Sequence, residues 1–419
     1  MKRAVITGLG FISSIGNNVA TVIDSLKHVK TGIEPFHEFQ GENIPVKLAG
    51  TVKDFAFPTT YFEDWKIPKE YNLSREQLRP MTPNAIYAYC AMQQAIQDAK
   101  LRDGEVSNPR TSLFCASGGS MWMAYDNLHT MVTRGVQKCQ PMAMINSIPG
   151  SLYINLGSIF KIQGGVLGFS SACSSSAHAL GIAVDQIALG RQDRVFVVGA
   201  EDCNKHQLLP FASIRALSVQ TDPRQAPRAF DKKRDGFVGT GGGAVLVVEE
   251  LETALKRNAS IYAEILGWGQ SSDGYNVLAP DPTGGGLARS MKLALDAAKL
   301  QPEQIDYINA HATSTVVGDV AEVKAVKTIF PQKRPYLSST KSLTGHGLSL
   351  AGALEAGICV VALKEGFIPV SANITELDPE CAGVPIVTAP VEAKPEIVMS
   401  NSSGFGGTNV SLILSRLKN

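Results

Sequence analysis

Long apolar runs, a dominant charge and paired cysteines are all missing from this sequence of 419 residues. No uninterrupted run approaches the roughly 18 apolar residues that a transmembrane helix requires, so we expect no membrane insertion. The formal net charge of +1 excludes the strong field typical of proteins that bind nucleic acid or a membrane surface. A local basic patch for an acidic partner would not be visible in this total.

The seven cysteines are scattered along the chain without a CxxC pair. An odd number without paired spacing argues against a disulfide framework and against a zinc site, and predicts a reducing, cytoplasmic location. The opening stretch MKRAVITGLGFISSIG has two basic residues before an apolar run. That run is short, broken by glycine and without a clear cleavage site, so a first buried strand is favoured over a signal peptide.

The composition is that of a well-buried globular protein, with 44% hydrophobic residues and 39 glycines. Its length predicts two or three domains, or one large duplicated unit. Apolar β-rich runs alternate with helical patterns, for example near residues 286–299, 318–329 and 349–364, which predicts an α/β fold with strands covered on both faces. The polar segment 270–285 is a candidate seam between two halves, and the Pro-rich segment 31–85 is predicted to be irregular.

Gly8 and Gly10 follow the first predicted strand, as in a dinucleotide-binding fingerprint. The third glycine of that fingerprint would fall at Ser13. The acidic residue expected some 20 positions later has no candidate, because Asp24 lies in a helical pattern. A tight strand-to-helix turn is therefore favoured here over nucleotide binding.

Cys173 lies among small residues in GFSSACSSSAHALG, where a predicted strand meets a predicted helix. Apolar residues at spacings of three and four mark one helix face, and Gly190 suits the helix stop. Serines 174–176 are predicted to cap free amides of the first turn. The amides and the positive end of the helix dipole would lower the pKa of the thiol and make it nucleophilic, although a buried structural cysteine is an equal alternative from this stretch alone.

Two of the seven histidines also follow strand-like segments and precede predicted helices. They are His311 in NAHATSTVVGD and His346 in STKSLTGHGLSLAG, with Lys341 five residues before the latter. In an open α/β sheet such junctions converge where ligands bind, so these histidines are candidate partners of Cys173. The other histidines show no comparable setting, and His178 is interpreted as structural.

The segment NSSGFGGTN, residues 401–409, contains three glycines around one bulky side chain. Gly404, Gly406 and Gly407 allow close backbone approach, so the loop is able to aim amide donors at a developing oxyanion. The alternative role for Phe405 is a packing anchor for a flexible loop.

Taken together, these motifs resemble the elongating β-ketoacyl-acyl carrier protein synthases of the thiolase superfamily, most closely type I. The likeness runs from end to end and is carried by RAVITGLGFISSIG, SSACSSSAHALG, DKKRDGFVGTGGGAVLVVEE, HATSTVVGD, KSLTGHGLSLAG and NSSGFGGTN. Initiating synthases carry Cys–His–Asn, biosynthetic thiolases a second reactive cysteine, and chain-length factors no active cysteine. This chain departs from each of those groups.

The resemblance implies an α/β thiolase-like fold in which two similar halves stack as five layers, αβαβα. We expect residues 1–255 to form the half that carries Cys173 and residues 256–419 the half that carries both histidines. It further implies a homodimer, with a heterodimer with a chain-length factor as the alternative. Acyl- and malonyl-loaded acyl carrier protein are the implied partners, and no cofactor or metal is implied.

The resemblance also implies a ping-pong condensation in which Cys173 accepts an acyl chain and malonyl-carrier protein supplies a carbanion by decarboxylation. Catalytic roles then fall to Cys173, His311, His346 and Lys341, and the amides of Cys173 and Phe405 would form the oxyanion hole. Phe405 would also gate the site. Implied substrate-binding residues are Thr313, Thr315, Gly404 and Gly406.

Two features depart from the family pattern. Ala312 follows His311 where the family has glycine, and bulky residues occupy SMWMAY after the second strand, at Met121, Trp122, Met123 and Tyr125. An altered substrate, such as an aryl or polyene chain, is one hypothesis, and ordinary interface packing is the other. The alternatives to a fatty-acid condensing enzyme are therefore a specialised polyene or polyketide ketosynthase and a non-catalytic subunit.

Overall fold

The computed structural model describes residues 1–41 and 43–417, which contain twelve strands and fourteen α-helices. The strands are β1 (Ala4–Ile12), β2 (Ile33–Pro35), β3 (Leu48–Gly50), β4 (Thr111–Ala116), β5 (Val166–Phe169), β6 (Arg194–Glu201), β7 (Gly242–Glu250), β8 (Ala263–Ser272), β9 (Tyr307–Asn309), β10 (Tyr336–Ser338), β11 (Ile397–Gly404) and β12 (Thr408–Ser415). The helices are α1 (Val19–Lys27), α2 (Arg75–Leu78), α3 (Pro83–Asp98), α4 (Asp103–Val106), α5 (Met121–Arg134), α6 (Ala143–Asn146), α7 (Ser151–Ile159), α8 (Ser175–Ala188), α9 (Lys205–Leu208), α10 (Leu251–Lys256), α11 (Gly285–Ala298), α12 (Val316–Ile329), α13 (Lys341–Thr344) and α14 (Ala351–Glu365).

Ten of the strands form two sets of five with the same internal order. The first set runs β1-β7-β6-β4-β5 and the second runs β8-β12-β11-β9-β10, so both follow the order 1-5-4-2-3 in their own chain sequence. Corresponding strand pairs also have the same direction in both sets: the first two pairs in this order are antiparallel and the last two are parallel. Among the described residues, strand pairing links the two sets only where Ala4–Ile6 of β1 pairs with β8. This repeated topology shows that the chain is built from two similar halves.

Helices α8 and α14 pack against each other and against strands of both sets, so they form the central layer. Helix α3 covers the outer face of the first set, and α11 and α12 lie on the outer side of the second. Helix α14 is buried on all sides from Ala351 to Leu363, as expected for a helix between two sheets. The five-layer thiolase-like α/β fold is thereby confirmed, whereas the division at residue 255 stays a prediction.

The tight turn expected at Gly8 and Gly10 is wrong, because β1 continues through both residues to Ile12. A Cβ at Gly10 would lie 1.8 Å from the Ala91 carbonyl oxygen, and one at Gly8 would lie 2.6 Å from that of Ala95. Both glycines therefore allow α3 to pack directly on the strand.

The three helices expected in the second half are confirmed as α11, α12 and α14. The polar segment 270–285 is not a seam between halves, since it lies inside the second set, between β8 and α11. In the part of the chain that the structure covers, no helix combines the length and apolar character that crossing a membrane requires.

Candidate active site

A cavity of about 380 Å³ opens at the ends of strands from both halves. Seven of the predicted site residues line it: Cys173, His311, Thr313, Thr315, His346, Gly404 and Phe405. Residues that are up to 232 positions apart in sequence thus meet in one place, as Cys173 and Phe405 illustrate. Neither Lys341, which is buried, nor Gly406 is among the residues that line it.

The turn that carries Cys173 joins β5 to α8, as predicted. Ala172 adopts a left-handed conformation with φ of 51°, which is unfavourable for any residue other than glycine. A sharp turn of this kind projects the next side chain away from the sheet, and such strain is typical of functional sites. Cys173 is 8% exposed and belongs to the wall of the cavity.

The prediction that Ser174–Ser176 cap amides in the first turn of their own helix, α8, is wrong. The Ser174 hydroxyl donates to the Ser171 carbonyl at 2.8 Å, and the Ser175 hydroxyl donates to that of Ala172 at 2.5 Å. The Ser176 hydroxyl accepts from the Ala353 amide of α14 at 2.8 Å. The serines therefore stabilise the strained turn and join the two central helices.

Cys173 and His346 are in direct contact, with 3.0 Å between Sγ and Nε2. Burial raises the pKa of the Cys173 thiol to about 12, while the nearby Lys341 charge acts in the opposite direction. The expected lowering of this pKa by the helix end is therefore wrong, because removal from water outweighs it. The thiol is neutral at rest, and His346 Nε2 lies within hydrogen-bond distance of its proton.

This protonation state predicts the pH dependence of Cys173 reactivity. Only the thiolate is alkylated efficiently, so a raised pKa means that reactivity increases with pH beyond the range where an ordinary thiol levels off, near about 8.5. We expect the iodoacetamide rate constant at Cys173 to increase about tenfold per unit between about pH 7 and pH 10. Peptide mass spectrometry follows the reaction, with a short cysteine peptide as control. A plateau below about pH 9 would contradict the neutral resting thiol.

His311 and His346 lie side by side, with ring centroids 5.4 Å apart and planes at 86°. Burial lowers the pKa of both well below the usual range, and the charge of Lys341 lowers them further. Both imidazoles are therefore neutral at physiological pH. A neutral pair is able to hydrogen-bond an oxygen that gains negative charge, which is the chemistry required for an enolate.

Glu322 of α12 fixes the backbone of the His311 loop. Its Oε1 accepts from the His311 amide at 3.1 Å and from Asn401 Nδ2 at 3.0 Å, and its Oε2 accepts from the Ala312 amide at 2.7 Å. Ala312 is 2% exposed and its Cβ packs in the apolar core of the second half. The extra methyl relative to the family's glycine is thus absorbed by the core.

Lys341 forms an ion pair with Glu355 of α14, and each side chain is at most 3% exposed. Burial raises the pKa of Glu355 to about 7, and Lys341 opposes that increase. The pair places a positive charge under the cavity, where it lowers the pKa values of Cys173, His311 and His346. Lys341 therefore acts on the site through its field.

The hairpin between β11 and β12 closes the cavity beside the cysteine turn. Thr408 Oγ1 donates to the Ser171 carbonyl at 3.1 Å, and a Cβ at Gly404 would lie 2.7 Å from the same oxygen. Phe405 packs against Phe211 with centroids 6.0 Å apart. Gly406 is at the exposed tip, with φ of 80°, and its amide donates to Val277. The loop is thus next to Cys173, and its oxyanion and gating roles stay predictions.

Thr313 and Thr315 also line the cavity, with 3.2 Å between their hydroxyl oxygens. Between them, Ser314 has φ of 70°.

The bulky segment after β4 forms the first turns of α5, not a loop. Met123 is buried and Met121 and Tyr125 are exposed, and none of the four bulky residues is among those that line the cavity.

Sequence reasoning missed Glu322 and Glu355. Glu355 had a visible signal, because it is the single charge in the apolar stretch LAGALEAGICVVAL. Among the described residues no group of three or more His, Cys, Asp or Glu side chains is placed to hold a metal. The expectation that the chain uses no metal or cofactor stays a prediction.

Comparison with known proteins agrees with this geometry. Residues 1–254 match the family model for the β-ketoacyl synthase N-terminal domain, and residues 262–375 match that for the C-terminal domain. The 3-oxoacyl-[acyl-carrier-protein] synthase 1 of Haemophilus influenzae is 46% identical over 99% of both chains.

Two solved structures superimpose on the whole chain. A β-ketoacyl synthase from Burkholderia phymatum has a TM-score of 0.91 at 34% identity, and the ishigamide ketosynthase/chain length factor has 0.88 at 30%, each covering 100% of both chains. Since both family domains match in order and a full-length relative shares nearly half of the sequence, the chain belongs to the β-ketoacyl synthase family and is a condensing acyltransferase of the type I branch.

Proposed function

We propose that this protein is a 3-oxoacyl-acyl carrier protein synthase that extends an acyl chain by two carbons in fatty-acid synthesis. In the first half-reaction the Cys173 sulfur attacks the acyl thioester. A new thioester forms on the cysteine, and the carrier thiol leaves. In the second, malonyl-carrier protein loses carbon dioxide, and the resulting carbanion forms a carbon–carbon bond with the acyl carbon. The Cys173 thiolate is then released.

The observation that carries this proposal is the contact of Cys173 with His346, beside His311, at the end of one cavity. His346 is placed to take the thiol proton, which makes an otherwise neutral sulfur nucleophilic. The two neutral histidines would then donate to the malonyl thioester oxygen as its charge develops. We assign the threonine pair, Thr313 and Thr315, to the phosphopantetheine arm, because their hydroxyls line the cavity wall.

A panel of acyl-carrier proteins tests this function. Incubation with saturated, unsaturated and aryl acyl-carrier proteins should add one acyl mass at Cys173. The saturated chains should then yield β-ketoacyl products with malonyl-carrier protein. Electrophoretic separation of the carrier proteins and peptide mass spectrometry measure the two steps, with the Cys173→Ser variant as a blank. Refusal of all saturated chains would overturn the fatty-acid assignment.

The second candidate is a specialised ketosynthase for a polyene, an aryl polyene or a type II polyketide. It is favoured by one observation, the structural likeness to the ishigamide ketosynthase/chain length factor at 30% identity. The same panel decides between the two, because such an enzyme would prefer the unsaturated or aryl chains. The non-catalytic alternative would leave Cys173 unmodified by any donor.

We further propose a homodimer that works on acyl carrier protein in the cytoplasm. An edge strand supports the dimer: β5 pairs on one side with β4, and Leu167 on it is 47% exposed. Such an edge is typically covered by another strand or chain. Sedimentation equilibrium of the purified chain should give twice the monomer mass of 44.7 kDa, and a monomer or a requirement for a second gene product would contradict the homodimer.

A further inference from the structure

The backbone that leaves His346 is strained. Leu348 has φ of 51°, a left-handed conformation that is unfavourable for a bulky residue. Its side chain is 6% exposed and lies in the same apolar cluster as Cys173 and Phe237. A strained residue persists only where its surroundings fix it on both sides.

On one side, the backbone of His346 itself is held. Its amide donates to the Val238 carbonyl at 2.7 Å, and its carbonyl accepts from the Thr240 amide at 3.1 Å. These bonds anchor the position of His346 in the chain. The orientation of the segment that follows, from Gly347 onward, depends on what holds the other side of Leu348.

On that other side, the hydroxyl of Ser349 donates to Glu201 Oε1. Glu201 is the last residue of β6 in the first half and is fully buried. Its Oε1 also accepts from the Gly118 amide at 2.8 Å, and its Oε2 accepts from Gln207 Nε2 at 3.0 Å. The carboxyl group is therefore fixed by three partners and is a rigid anchor for Ser349.

We propose that Glu201, acting through Ser349, is a positioning residue that keeps His346 Nε2 within hydrogen-bond distance of Cys173 Sγ. The link crosses between the halves, because Glu201 and Gly118 belong to the first and Ser349 to the second. Burial raises the pKa of Glu201 to about 8, the hydrogen bonds from Ser349 and Gly118 oppose that increase, and the Glu201 charge in turn raises the pKa of Cys173. The proposal rests on the proposed function only in taking Cys173 as the nucleophile.

A neighbouring pair of residues provides a matched control. Ser120 is also a buried serine, and its hydroxyl donates at 2.5 Å to Asp202, the residue after Glu201. Ser120 belongs to the N-terminus of α5 and not to the segment after His346. Ser120→Ala therefore removes the same kind of hydrogen bond, together with the cap on the Met123 amide, and leaves the Ser349–Glu201 hydrogen bond in place.

The test compares Ser349→Ala with Ser120→Ala by alkylation of Cys173 with iodoacetamide at about pH 7.5, alongside the thermal midpoint of each variant. We expect Ser349→Ala to slow alkylation about tenfold, the equivalent of one lost hydrogen bond, and to shift its pH profile upward. Ser120→Ala should stay within about twofold of the wild type. Glu201→Gln keeps an acceptor for Ser349 and should restore most of the wild-type rate that Glu201→Ala loses.

Two results would overturn the proposal. One is alkylation of Ser349→Ala within twofold of the wild type, and the other is equal slowing in Ser120→Ala, which would indicate a general loss of stability. Alkylation needs no carrier protein. Failure of the wild type to condense acyl-carrier proteins would therefore refute the proposed function and leave this inference standing.

Discussion

Replacing Cys173 with alanine is expected to abolish acyl transfer completely. Cys173 has a nucleophilic sulfur in contact with His346. Among the residues that line the cavity, no other side chain near the two histidines has both such an atom and such a contact. Without a covalent intermediate the first half-reaction has no acceptor, and losses on the order of 10⁶-fold are typical when a nucleophile is removed. Incubation with acyl-carrier protein followed by intact-mass measurement checks this, and any acyl mass on the variant would refute the assignment.

The Cys173→Gln variant tests decarboxylation separately from acyl transfer. Its amide carbonyl resembles an acylated cysteine, so we expect the variant to decarboxylate malonyl-carrier protein while it fails to accept an acyl chain. Release of labelled carbon dioxide measures this step. Loss of both activities in a folded Cys173→Gln protein would show that His311 and His346 do not act separately from the nucleophile.

Replacing Lys341 with methionine is expected to cost about 3–5 kcal/mol of folding free energy, because it leaves Glu355 buried without its partner. The pKa of Glu355, already about 7, would rise further without the positive charge. A carboxyl whose folded-state pKa lies above its unfolded value loses stability as pH increases. Because Glu355 of the wild type is itself protonated below about pH 7, the deficit relative to the wild type should grow as pH increases above about 7, as urea unfolding at each pH would measure.

The double variant Lys341→Met with Glu355→Met separates folding from chemistry. Two apolar residues in place of a buried ion pair are often close to neutral for stability, so most of the loss should be recovered. The Lys341 charge that lowers the Cys173 pKa would still be absent, and the smaller opposing effect of Glu355 would be lost with it, so alkylation at neutral pH should stay slower than in the wild type. Recovery of both stability and alkylation rate would show that Lys341 has only a structural role.

Most of the fold was predictable from the chain alone. The alternation of apolar strands with helical periodicity predicts an α/β fold, and the strand-to-helix junctions at Cys173, His311 and His346 predict a common site. The resemblance to one family then supplied the layer order. These features depend on local sequence, since side-chain periodicity follows from the geometry of each element.

The prediction failed where an effect depends on packing between distant segments. Gly8 and Gly10 were expected to turn the chain. In the structure they instead leave room for the backbone of α3, which packs directly against them. The serines after Cys173 were expected to cap a helix, but their partners are the strained turn and α14. The local sequence pattern around a residue does not show which residues of the other half of the protein will contact it.

The sequence by itself predicted which residues carry the chemistry: one cysteine, two histidines and a lysine in motifs that resemble a single family. Only the tertiary structure decided their protonation states, because the pKa of a group depends on how deeply it is buried and which charges lie nearby. Burial makes Cys173 a neutral thiol, and a contact of 3.0 Å gives it a proton acceptor in His346. Glu322, Glu355 and Glu201 hold that arrangement from helices and strands far apart in the chain, which is why the sequence did not identify them.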